Sequence, residues 1–125
     1  MKSYTDLNQS KKLAEILPLK SADMRFCFSH TLGGRITGHY PMIGSEPSLG
    51  TVPCWSLSAL LNVLPVSCDD GQHCLALINH NPNEKTEWLC AYEDDKGNLM
   101  MECYADNQID ACVAMIEKLH EQNLL

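Results

Sequence analysis

No stretch of this 125-residue sequence approaches the roughly 20 consecutive apolar residues that a membrane-spanning helix needs. The opening run Met1-Lys2-Ser3-Tyr4-Thr5-Asp6 has no apolar segment behind its lysine, so no secretory signal is expected. No internal repeat, low-complexity tract or linker divides the chain, which predicts one domain over residues 1–125. No Cys-x-x-Cys knuckle occurs, and Gly33-Gly34 neither continues into a phosphate-binding fingerprint nor opens a helix. These absences argue against a membrane protein, a secreted protein, a zinc ribbon and a nucleotide-binding loop.

Positive charge is also scarce. Nine Lys/Arg stand against 16 Asp/Glu, a formal net charge of −7. Residues 1–68 carry six cations and four anions (+2), and residues 69–125 carry three and twelve (−9). Phosphate contacts need clustered cations, so the acidic half predicts no nucleic-acid partner and no anionic membrane surface. It leaves a basic protein as the expected partner.

The sequence does hold an ordinary globular composition, 45% hydrophobic and 20% charged. Its seven cysteines, Cys27, Cys54, Cys68, Cys74, Cys90, Cys103 and Cys112, are odd in number and scattered. Most sit among apolar neighbours, as in Phe26-Cys27-Phe28 and Leu89-Cys90-Ala91, which is how a small buried hydrophobe behaves. Free thiols in a reducing cytoplasm are therefore expected.

A first helix is expected after Asp6, whose spacing to Gln9 makes a capping box, and it ends at Pro18. Met24 to His30 alternates with period two and predicts a strand. Gly33-Gly34 supplies a hairpin turn, and Ile36, Tyr40 and Met42 belong to the returning strand. Residues 43–53, with two glycines and two prolines, read as a loop. Trp55 to Leu64 carries Leu57, Leu60, Leu61 and Leu64 on one stripe and predicts a core helix. Three strands follow. Cys74–Ile78 is apolar throughout and is expected to be buried on both faces. Thr86–Tyr92 and Leu99–Tyr104 flank the turn cluster Asp94-Asp95-Lys96-Gly97-Asn98. A last helix is capped by Asn107 and buries Ile109, Cys112, Val113, Ile116 and Leu119. The order α-β-β-α-β-β-β-α predicts an α+β fold, an antiparallel sheet of four or five strands with about three helices on one face.

Three segments carry a resemblance: Tyr4–Leu7 running into Gln9–Pro18, then Pro53–Leu61, then Ile109–His120. Together they resemble a group of small proteins from the genomes and mobile elements of gut anaerobes. The resemblance touches all three helices and spares the middle. It implies kinship and no activity, and it brings no functional residue with it.

Cys54 is the sharpest chemical feature. A helix N-terminus lowers a thiol's pKa, and papain-like hydrolases place Cys-Trp there with a histidine on a later strand. Here His73 and His80 flank an apolar strand, with Asn79 or Asp94 as orienters. Val52-Pro53 stands where papain-type glycines would precede the cysteine, and the plainer reading is a cysteine packed beside a core tryptophan. Cys68, His73, Cys74 and His80 form a candidate zinc set, but adjacent His73 and Cys74 would point to opposite faces of a strand. The plainer reading is scattered histidines and core thiols. Asp69-Asp70 and Glu93-Asp94-Asp95 lack calcium-loop spacing and read as solvated turns. The expectation is thus no cofactor, no metal and no catalytic set. The chain reads as a non-enzymatic interaction module, with a small cysteine hydrolase built on Cys54 and His73 or His80 as the alternative.

Overall fold

The structure is a computed structural model and describes residues 2–44, 50–68, 71–80 and 87–125. Its elements run α1 (Leu7–Ile16), a 3-10 turn (Leu19–Ser21), β1 (Met24–His30), β2 (Ile36–Ile43), β3 (Val52–Cys54), α2 (Leu57–Val63), β4 (Ser67–Cys68), β5 (His73–His80), β6 (Glu87–Glu93), β7 (Leu99–Ala105) and α3 (Gln108–Glu121). This is an α+β fold in close to the expected order.

Two helix starts follow local chemistry. Asp6 accepts from the Gln9 backbone N–H at 2.8 Å, and the Gln9 side chain accepts from the Asp6 N–H at 3.1 Å, a reciprocal cap. Asn107 accepts from the Asp110 N–H at 2.8 Å to open α3. The middle helix begins at Leu57, with its apolar stripe, and not at Trp55 as expected. Ser56 is its cap, Cys54 belongs to β3, and Trp55 lies in neither element. The reason is long-range: Thr5 donates its N–H to the Trp55 carbonyl at 2.9 Å, and Asp23 accepts from the Ser56 N–H at 2.9 Å. Those backbone groups are held by other elements and cannot join a helical turn.

The strands divide into two antiparallel sheets, ordered β2-β1-β3 and β4-β5-β6-β7, where a single sheet was expected. The stretch expected as a loop supplies one strand: Val52–Cys54 pairs with β1, Met24 opposite Cys54 and Phe26 opposite Val52. Strand β5 lies between β4 and β6, but it is not buried on both faces. Leu75 and Leu77 pack against the core, while Cys74 is exposed, because helices cover only one side. Between β6 and β7 the register shifts near Ala91, and Met101 there has a φ of 57°, the left-handed geometry of a bulge.

The core fills the space between this four-stranded sheet and the helices. Leu13, Trp55, Leu60, Tyr92, Ile109 and Ile116 are fully buried. Burying each large apolar side chain contributes roughly 1.5–3 kcal/mol. The polar tips in this core are satisfied: Trp55 Nε1 donates to Ser21 Oγ at 3.0 Å and the Tyr92 hydroxyl donates to the Pro65 carbonyl at 2.9 Å. Among the described residues no helix is long and apolar enough to cross a membrane.

Candidate functional site

Cys54 closes β3, two residues before the Ser56 cap of α2, and does not open the helix itself. Its side chain has no solvent exposure. The thiol donates to the Thr5 carbonyl at 3.5 Å and accepts from Thr5 Oγ1 at 3.6 Å. Thr5 Oγ1 also bonds Ser10 Oγ at 2.7 Å and accepts from the Trp55 N–H at 3.2 Å. Burial pushes the Cys54 thiol up, against the smaller lowering effect of its Thr5 and Ser10 hydrogen bonds. This cluster staples the N-terminal segment to β3. His73 and the backbone of His80 belong to β5 in the other sheet.

The candidate zinc set is spread along the strands. Cys68 stands directly opposite His73 on the β4–β5 ladder, while Cys74 follows His73 onto the other face and His80 lies at the far end of β5. Among the described residues no group of three or more metal-ligating side chains converges. No disulfide joins any of the seven cysteines. Cys90 rests against Cys112, and that contact together with burial pushes its thiol well above the ordinary range.

The acidic turns sort to both ends of the larger sheet. At one end, Glu93, Asp94 and Asp95 stand beside the Gly71–His73 segment. Asp94 is spent on its own turn. Its carboxylate accepts from Asn98 Nδ2 at 3.0 Å and from the backbone N–H groups of Asn98 and Lys96 at 2.7 and 2.9 Å. These bonds, the Asn98 side chain first, hold its pKa below the usual carboxylate range. Glu93 and Asp95 remain beside an open hollow of about 300 Å³ that also meets Cys74, Leu75 and Ala76. Asp106 and Asp110 fall at the opposite end, past the finish of β7. Asp69, Asp70 and Glu84 lie outside the described residues.

Asp110 belongs to a clasp that the sequence did not reveal. It accepts from Lys2 Nζ at 2.7 Å, Gln9 Nε2 at 2.7 Å and Asn107 Nδ2 at 2.8 Å. Burial would raise its pKa, but the bonds from Lys2, Gln9 and Asn107 outweigh that and lower it. The clasp joins α1 to α3 across more than 100 residues, so no local pattern announces it.

The β1–β2 hairpin is the other exposed feature. Gly34, with a φ of 82°, makes the turn that glycine favours there. On the inner face Phe26 packs edge-on against Tyr4 and His39, with ring centroids 6.1 and 5.3 Å apart. The outer face presents Arg25, Cys27, Tyr40 and Met42, with the Cys27 thiol 3.6 Å from the Met42 sulfur. Comparison of the chain with family models, with curated proteins and with solved structures finds no match.

Proposed function

We propose that this chain is a non-enzymatic interaction module that presents the acidic end of its four-stranded sheet to a basic protein surface. The supporting observation is the pairing of Glu93 and Asp95 with an open, partly apolar hollow where β5 begins and β6 ends. Long basic side chains can lay their stems along such a floor and place their charged heads among the carboxylates. The burial and raised thiol pKa of Cys54 weigh against the hydrolase alternative, since the thiolate is the nucleophile. The module acts in a reducing compartment, the cytoplasm, and duplex DNA is not its partner.

An NMR titration with a lysine-rich peptide tests the reading. Shifts are expected to concentrate at residues 71–76 and 93–98 and to disappear in Glu93→Lys/Asp95→Lys. Duplex DNA at the same ionic strength is expected to leave the spectrum unchanged. Peptide-induced shifts that survive the double charge reversal, or tight DNA binding, would overturn it.

A further inference from the structure

The basic surface that fits this acidic end is carried by the same chain. Residues 24–44 hold Arg25 and Arg35 and no Asp or Glu. Within them Leu32, Ile36, Tyr40, Met42 and Ile43 make up half of the ten large hydrophobic side chains left exposed among the described residues. Such concentration on one arm marks an interaction surface rather than ordinary surface scatter. Arg25 and Arg35 give the arm the positive charge that an incoming carboxylate can pair with.

The contact is made by side chains. Strand β2 is a sheet edge, but Pro41 lacks an N–H in its middle, which blunts it for strand addition. What the arm offers is a cationic, apolar tip and outer face. What complements it is an anionic rim over an apolar floor, and Glu93, Asp95, Cys74 and Ala76 supply that at the far sheet's end.

We propose that the β1–β2 arm docks on the acidic end of a second copy of this chain. The inference rests on the reading of that end as a binding surface for basic proteins, and it names the partner. Opposite charge on the two patches steers the encounter, so association strengthens as salt falls.

Sedimentation analysis from micromolar to millimolar chain is the test, with three proteins whose folding is checked by circular dichroism. Wild type is expected to self-associate, with Kd weakening at least about tenfold between about 0.02 and 0.3 M salt. Leu32→Asp/Arg35→Glu and Glu93→Lys/Asp95→Lys are each expected to be monomeric. All four positions avoid the core and the Asp94 turn bonds, so the variants keep the fold. Mixed in equal amounts, the two variants are expected to associate, because every reversed arm then meets a reversed end. A monomeric wild type, self-association retained by either variant, or a mixture that stays monomeric would overturn the proposal. Lysine-peptide binding at residues 93–98 reads the underlying surface separately: if it persists while the mixture fails, only the self-association is wrong.

Discussion

The two sheets of this protein are built from similar alternating strands and end in different states. In the four-stranded sheet the helices seal one face, and Leu75, Leu77, Cys90 and Tyr92 pack into a shared core with α2 and α3. In the three-stranded sheet the corner around Phe26 and Cys54 is sealed, by Tyr4 and Thr5 among the described residues. Beyond that corner Tyr40, Met42 and Ile43 stand exposed. Alternation decides which side chains share a face. Whether that face is dry depends on another element arriving to cover it.

The sharpest way to break the comparison is thiol labelling. Inside the small sheet, Cys27 is half-buried on the outer face and Cys54 is fully buried on the inner one. Cys54 reacts only through opening of the structure, so its labelling under native conditions should be slower by at least about a hundredfold. Cys74, exposed on the larger sheet, should label quickly, and Cys90 and Cys112 slowly. Mass spectrometry of timed labelling reads the order; similar rates for Cys27 and Cys54 would show that the sealed corner is open.

Truncation gives the next largest contrast. Ile116→Ala removes a fully buried side chain from the shared core and is expected to cost about 2–5 kcal/mol. Met42→Ala on the arm is expected to cost less than about 0.5 kcal/mol. Urea unfolding of both variants measures the gap, and comparable losses would mean that the arm is packed as tightly as the core.

Asp23 joins the small sheet to α2 by accepting from both the Ser56 backbone N–H and the Ser56 hydroxyl. Asp23→Ala is expected to cost about 1 kcal/mol, the usual worth of a lost cap or hydrogen bond. An unchanged urea midpoint would show that the junction does not depend on it.

The smallest effect is acid sensitivity of the Lys2–Asp110 clasp. The folded-state pKa of Asp110 lies below its unfolded value. Its contribution is therefore fully present above the unfolded pKa, near 4, and is lost as pH falls through the folded pKa. The pair is partly exposed, so its worth is at most about 1 kcal/mol. Asp110→Asn should lower stability at pH 7 and flatten the loss between about pH 5 and pH 2. Identical pH profiles for wild type and variant would remove the clasp from the account.

Much of this fold was legible before the structure. The Asp6–Gln9 box, the Asn107 cap and the Gly33-Gly34 turn are interactions between residues a few positions apart, and each formed where the spacing put it. The acidic half was legible as charge, although the sequence could not say that Asp94 is consumed by its own turn while Glu93 and Asp95 border a hollow. Cys54 is packed beside the buried Trp55, the plainer of the two sequence readings, but its place in the chain differs from the expected one for a related reason. Its neighbours in sequence suggested a helix start, and its environment is set by Thr5 and Ser10, more than forty residues away.

The sequence by itself determined the capped ends of α1 and α3, the β1–β2 hairpin turn and the alternation along the strands, because those outcomes depend on period, capping and turn chemistry over a few residues. Only the tertiary structure decided that the strands split into two sheets, that β3 rises from a stretch of glycine and proline, and that one sheet is sealed while the other is left as an exposed arm. Those outcomes depend on contacts between segments far apart in the chain. Their closure entropy is repaid only when the whole core forms, so no local window of the sequence contains them.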